Sequence, residues 1–197
     1  MTPGLLLILA LLTQPVDEAV STAPPQPTAE QEANASAGEP LPPGAPTEPY
    51  ELTAWCYGAL GEYLTVYDRV IPDLRDIDST FGASVHNEAQ PYAEDVAAAR
   101  LALTRFAAAL RSAERASPQP ISQRGAAAIQ QGRGIWSVAE RGSRRALARA
   151  WLYWGIPDQC DITARALRQR SVSALAALSP AEAAAARSRP GAVALAP

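Results

Sequence analysis

Few residues of this chain could perform covalent or metal chemistry. There is one histidine, His86, and there are two cysteines, Cys56 and Cys160. A serine–histidine–aspartate or cysteine–histidine mechanism would need His86, and no activating motif surrounds that residue. One histidine and two distant cysteines also lack the spacing of a structural zinc site. We therefore expect neither a metal nor a cofactor.

Two carboxylates provide an enzymatic hypothesis. Glu62 lies between aromatic residues in the segment GALGEYLTVYDR, and Asp68 follows it in the same segment. Glycoside hydrolases use two carboxyl groups, one as an acid and the other as a base or nucleophile. A small exported hydrolase that cleaves glycans is therefore one hypothesis for function. Because any acidic helix contains such pairs, a solvated acidic face is the alternative interpretation.

A cluster of arginines provides the other hypothesis, a non-enzymatic binding or interaction module. The cluster lies around the start of a predicted helix and consists of Arg141, Arg144, Arg145 and Arg149. Guanidinium groups bind carboxylates and phosphates through paired hydrogen bonds, so an envelope protein, an anionic polymer or lipid headgroups could bind here. Nucleic acid is not expected, because the chain has no recognisable nucleic-acid-binding motif and a net charge of -3.

The charges of the two halves are opposite. Residues 1–99 contain fifteen acidic residues and two arginines, whereas residues 100–197 contain fifteen arginines and five acidic residues. Such asymmetry can indicate a binding surface. It can equally indicate that the acidic first helix forms ion pairs with the later arginines inside one fold. The sequence favours the second interpretation slightly and leaves both open.

The N-terminus has features of an export signal. Residues 5–12 (LLLILALL) form an apolar run of the length found in signal peptides, and a transmembrane helix would need about 20 such residues. Small side chains at residues 19–21 place the expected cleavage site before Thr22. The n-region has no arginine, which departs from the usual pattern. We expect a periplasmic or secreted protein with a signal peptide over residues 1–21.

Export would allow the two cysteines to form a disulfide. Cys56 and Cys160 lie near the two ends of the predicted globular region, and an oxidising compartment favours such a bridge. Two buried free thiols are the alternative. We expect Trp55, Trp151 and Trp154 to pack around the bridge, because they lie close to the cysteines in sequence.

Apolar periodicity predicts an all-α protein, a compact bundle of four to five helices over residues 50–170. The predicted helices begin near Pro49, Pro91, Ser122, Ser143 and residue 158. The third is expected to end near residue 140 and the fifth near residue 169, and Ser143 is the expected N-cap of the fourth. Pro72 is expected to break or kink the first helix. A Pro- and Ala-rich disordered linker precedes the domain over residues 22–49. A low-complexity, Ala-rich tail follows over residues 171–197, where Ser179 and Glu182 form a capping box before a short peripheral helix.

Protein recovered from its native envelope should begin at Thr22 if the leader is removed at the expected position. N-terminal sequencing together with the intact mass would check this. A chain that still carries residues 5–12 would show that the leader is retained, and the assignment of residues 1–21 as a cleaved signal peptide would then be wrong.

Overall fold

The computed structural model describes residues 41–80, 92–179 and 182, and within these ranges it is all-helical. His86, Pro91 and the predicted leader lie outside the described residues. The helices are α1 (Pro49–Thr80), α2 (Ala93–Ala116), α3 (Ser122–Gly134), α4 (Ser137–Glu140), α5 (Arg144–Tyr153) and α6 (Asp158–Ala176). The predicted all-α class is confirmed.

Helix α1 is the centre of the fold. Helices α2, α3, α5 and α6 all pack against it, and α2 also packs against α6. Every residue from Leu52 to Leu60 is buried, so this half of α1 is surrounded on all sides. A helix that is apolar around its whole circumference must be enclosed by other elements. The unbroken apolar character of this segment therefore explains why the other long helices are arranged around it.

Pro72 does not end α1, so of the two expected effects, a break or a kink, the break does not occur. The helix continues to Thr80, and Pro72 is exposed. Proline removes the hydrogen bond to the carbonyl group of Asp68, which also lies on the exposed side of the helix, so that carbonyl can bond to water. On the opposite side, Val70 and Leu74 are fully buried and hold both flanking turns in the core.

The crossing of α1 and α3 depends on two glycines. A Cβ atom placed on Gly58 would lie 2.1 Å from the carbonyl oxygen of Ile129, and one placed on Gly132 would lie 2.0 Å from that of Trp55. Neither position can therefore accommodate a side chain. Gly61, one turn further along α1, has open space around it. The backbones of α1 and α3 therefore approach closely at Gly58 and not at Gly61.

Several helix boundaries differ from the predicted ones. The single helix expected over residues 122–140 is divided into α3 and α4, because the chain turns at Ile135 and Trp136 and inserts the Trp136 ring into the core. The Trp136 Nε1 atom donates to the Ala59 carbonyl oxygen at 3.1 Å. Helix α2 begins at Ala93 rather than at Pro91, and α6 continues to Ala176 instead of ending near residue 169.

The two ends of the predicted domain also have defined contacts. Leu41 and Ala45, in the segment expected to be free linker, pack against the core. At the other end, Ser179 Oγ donates to the Glu182 carboxylate at 2.6 Å, and the Glu182 backbone N–H donates back to Ser179 Oγ at 3.4 Å. The predicted capping box is therefore formed.

The predicted disulfide is present and joins α1 to α6. The Sγ atoms of Cys56 and Cys160 are bonded, their Cα atoms are 5.9 Å apart, and both residues are fully buried. The bridge closes a chain segment of 104 residues that contains most of the fold. A bridge that closes so long a loop strongly restricts the conformations of the unfolded chain. It should therefore stabilise the folded state by about 2–4 kcal/mol.

Replacing Gly58 with alanine should lower the free energy of unfolding by more than about 2 kcal/mol, because the new methyl group would overlap a backbone carbonyl that cannot move aside. Gly61→Ala is the matched control. It lies one turn further along the same helix in open space, and it should raise stability by up to about 1 kcal/mol. Chemical denaturation of both variants would measure the difference, and equal effects would contradict the close crossing of α1 and α3.

Candidate functional site

The arginine cluster is positioned by α5. Ser143 is the N-cap of this helix, as predicted, and its Oγ accepts a hydrogen bond from the Ala146 backbone N–H at 3.2 Å. Leu147 and Trp151 are buried against the core. These buried residues hold one face of α5 against the core. The arginines of this helix therefore project from its other faces.

Two of the four predicted binding arginines pair with α1. Arg144 Nε lies 3.1 Å from Asp73 Oδ2, and Arg145 Nη1 lies 2.8 Å from Asp76 Oδ2. Further pairs link opposite charges elsewhere, including Arg124 with Glu51 and Arg69 with Glu140. The acidic first helix thus neutralises part of the later positive charge. Each pair is partly exposed to solvent, so each should contribute no more than about 1 kcal/mol to stability.

The other two arginines of the cluster, Arg141 and Arg149, form no ion pair with any residue in the described ranges. Arg149 lies one turn after Arg145, and both line a depression of about 350 Å³ at the surface. We call this depression the arginine concavity. Its lining residues are Ile77, Thr80, Arg145, Arg149, Leu152 and Tyr153. Arg141 and Arg144 do not line it, so the structure divides the predicted cluster into two parts.

Glu62 and Asp68 are not arranged as a catalytic pair. Both project from α1 itself, and at about 100° of rotation per residue they lie on different sides of that helix. Glu62 accepts a hydrogen bond from Arg69 at 3.2 Å, and Asp68 is exposed. A glycosidase needs two carboxyl groups that face each other across a cleft about 5–9.5 Å wide. The two side chains do not provide that geometry.

Three of the four tryptophans form an aromatic cluster centred on Tyr63. The Tyr63 ring stacks on Trp151 with centroids 4.7 Å apart, and it also contacts Trp154 and Trp136 at 5.2 and 6.0 Å. Tyr63 lies about two helical turns after Cys56 on α1. Trp55 is buried in the core but has no ring contact with this cluster among the described residues. The packing of Trp55, Trp151 and Trp154 around the disulfide stays a prediction.

A second depression, which we call the aromatic pocket, lies beside this cluster and was not anticipated from the sequence. Its volume is about 410 Å³, and its walls come from α1, α2 and the residues at the end of α5. The aromatic wall consists of Tyr63, Tyr92, Trp151 and Trp154. The opposite wall is the small-residue face of α2, with Asp95 and Arg105 at its two ends. The sequence contained one signal for it, a stripe of alanines between two charges at helical spacing.

Tyr92 has an unusual backbone at the edge of this pocket. Its φ angle is 59°, in the left-handed region that bulky side chains rarely adopt. Its hydroxyl donates to Asp78 Oδ1 at 2.6 Å, and its ring meets Trp151 edge-on at 5.4 Å. These two contacts hold the strained residue in place and fix the start of α2 against the end of α1.

The phenols in and near the core are kept neutral. Burial raises the pKa of Tyr63 well above its usual value, and the nearby Asp95 carboxylate raises it further. Burial and the hydrogen bond to Asp78 act in the same direction on the pKa of Tyr92. Burial also raises the pKa of Tyr50, whose hydroxyl donates to Glu114 Oε1 at 2.8 Å. None of these groups can act as a base near neutral pH.

Comparison of the chain with protein-family models, with curated proteins and with solved structures gave no match. Across residues 41–80, 92–179 and 182, no cluster of three metal-ligating side chains occurs. None of the helices in those same ranges is both long enough and apolar enough to cross a membrane. The features of the described structure that bear on function are the geometry and charge of the arginine concavity and of the aromatic pocket.

Alkaline pH should destabilise the protein through its buried phenols. The stabilisation from the neutral Tyr50 is complete below pH 10, near the ordinary pKa, and is lost as the pH rises towards the raised folded-state pKa, because the unfolded chain ionises first. Denaturant titrations between pH 8 and 11 should show a smaller alkaline loss in Tyr50→Phe. Tyr153→Phe is the control, since Tyr153 is 88% exposed. Equal slopes in the two variants would contradict this role of Tyr50.

Proposed function

We propose that this chain is an exported, non-enzymatic binding module that holds an acidic group of a partner protein in the arginine concavity. The observation that carries the proposal is Arg149. It lines a concave surface beside a second arginine, and no carboxylate in the described part of the chain pairs with it. A guanidinium in this position is available for a carboxylate or phosphate from outside.

The second arginine is already oriented. Asp76 binds Arg145 through Nη1, and a guanidinium has five N–H donors, so the remaining donors stay available to a ligand. Arg145 loses little side-chain freedom on binding because the ion pair already restrains it, which favours affinity. Tyr153 adds an exposed phenol at the same concavity, and tyrosine is a frequent contributor to protein interfaces.

The distribution of charge favours a partner protein over a lipid or polymer surface. Binding to an anionic membrane usually relies on four to eight clustered basic residues. Here Asp73 and Asp76 lie directly against Arg144 and Arg145, so within the described ranges only Arg141 and Arg149 of the arginine cluster remain unpaired. A narrow site with few free charges suits a single acidic group on a folded or peptide partner.

Export is supported by the oxidised cysteine pair and by the apolar run of residues 5–12. Disulfides persist in oxidising compartments and are rare in reducing ones. A buried bridge that joins the first and last long helices of the described fold is therefore suited to the periplasm or the extracellular medium. The glycan-hydrolase hypothesis receives no comparable support, because Glu62 and Asp68 do not face each other.

Charge reversal at Arg149 tests the proposal. Full-length wild type, Arg149→Glu and Arg168→Glu would each be used to capture partners from the native envelope, and the recovered partner would then be titrated in purified form. Arg168 is exposed on α6 and makes no ion pair within the described ranges, so its reversal gives the same change in net charge at another surface.

We expect Arg149→Glu to weaken binding about tenfold or more, because a hydrogen bond to a charged group contributes about 1.5–3 kcal/mol. Arg168→Glu should change binding less than twofold, and both variants should keep the thermal stability of the wild type. Equal weakening by the two reversals would indicate a diffuse electrostatic attraction and would contradict the proposed site. Co-sedimentation with phosphatidylglycerol vesicles that depends on Arg149 would instead indicate a lipid partner.

A further inference from the structure

We infer that the aromatic pocket is a second binding site, and that it takes a small organic cation with an apolar or aromatic body. This inference does not depend on the arginine concavity. The two depressions share only Leu152 among their lining residues, and their free charges have opposite signs. It rests on the size of the pocket, the groups that its aromatic wall presents, and the charge at its rim.

The size of the pocket suits a small molecule. Its volume of about 410 Å³ lies within the range of about 300–1,000 Å³ that is usual for small-molecule sites. The space exists because α2 presents Ala98, Ala99 and Ala102, and the chain after α5 presents Gly155. Asp95 and Arg105 lie at the ends of this α2 face, about 15 Å apart along the helix axis. An extended ligand of two or three rings would fill that length.

The aromatic wall presents rings, and two of its four hydrogen-bond donors are occupied within the protein. Trp151 Nε1 donates to the Tyr63 carbonyl oxygen at 3.0 Å, and the Tyr92 hydroxyl donates to Asp78. A ligand therefore meets ring faces and edges on these residues, and an anion would find no N–H or O–H donor from Trp151 or Tyr92. Aromatic faces attract apolar groups and cations, and they are unfavourable for anions.

The charge at the rim selects a cation. Arg105 is paired with Asp161, with Nε 3.2 Å from Oδ1, and Asp161 also pairs with Arg165, so the charge of Arg105 is compensated only in part. Asp95 has no ion-pair partner among the described residues, and it lies close enough to Tyr63 and Tyr92 to affect their ionisation. At the end of the pocket formed by Tyr63 and Tyr92, about 15 Å along α2 from Arg105, the unpaired charge is therefore the negative charge of Asp95. Acidic residues are common in the first turn of a helix, and both Glu94 and Asp95 lie in the first turn of α2. Of the two, Asp95 lines the pocket and Glu94 does not.

The strained backbone of Tyr92 is a further feature of this pocket. A left-handed conformation at a bulky residue is unfavourable, and such residues cluster at ligand sites. Here the ring of the strained residue lines the pocket and contacts Trp151 edge-on.

The test uses two aromatic probes of nearly equal shape, phenethyltrimethylammonium and its neutral isostere with carbon in place of the quaternary nitrogen, and an aromatic anion of similar length, 3-phenylpropionate. Binding of each to the full-length protein would be measured by calorimetry and by chemical shifts of the tryptophan indole N–H groups. We expect the cation to bind about five- to tenfold more tightly than the neutral isostere, and the anion to bind most weakly.

Two variants with matched controls locate the site. Ala98→Leu should abolish binding by filling the pocket, whereas Ala97→Leu, on an exposed neighbouring position that does not line it, should leave binding unchanged. Asp95→Asn should remove most of the preference for the cation over the neutral isostere, and Glu94→Gln should retain it. All four substitutions lie on exposed positions of α2, so the fold should survive them.

Three results would overturn the inference: no binding of any probe at millimolar concentration, equal affinity for the cation and the neutral isostere, or loss of binding in both leucine variants. None of these results bears on Arg149, so this inference and the proposed partner site can fail separately.

Discussion

Burial of α1 on all sides is the constraint on which the rest of the structure depends. Between Leu52 and Leu60 the helix has no face that could be left in water, so one neighbour is not enough to cover it. Helices α2, α3, α5 and α6 are all needed for this purpose. Gly58 and Gly132 allow α3 to approach closely, and the disulfide keeps α6 attached. Both candidate sites include residues at or near the ends of these helices.

Helix α5 connects the two sites. One side of this short helix places Trp151 in the core, where its ring stacks on Tyr63 and forms part of the aromatic pocket. Another side carries Arg145 and Arg149 into the arginine concavity. Leu152 lies between the two depressions. A helix of ten residues that is fixed by a few buried side chains thus determines the position of an aromatic wall and of two guanidinium groups.

The ion pairs show which of the oppositely charged residues in the two halves of the sequence pair with each other in the fold. Opposite charges in the two halves were compatible with internal pairing and with an external binding surface. The structure shows internal pairing of Arg144 and Arg145 with α1, whereas Arg149 does not pair within the described residues. Helical spacing could place Arg145 and Arg149 on one face, but it could not show which of them would meet an aspartate, because that depends on how α5 lies along α1.

The sequence by itself determined what depends on local chemistry and periodicity. It indicated an all-helical chain, the start of α1, the Ser143 cap, the capping box at Ser179, and the pairing of the only two cysteines. Tertiary structure decided the continuation of α1 through Pro72, the division between α3 and α4, the grouping of the tryptophans around Tyr63, and the existence of the aromatic pocket. The physical reason is that helix propensities and caps depend on a few neighbouring atoms, and that each of the two cysteines has only the other to pair with. Ring stacking, helix crossings and cavities depend instead on the relative rotation and depth of whole helices, and many arrangements of the same helices satisfy the same sequence pattern.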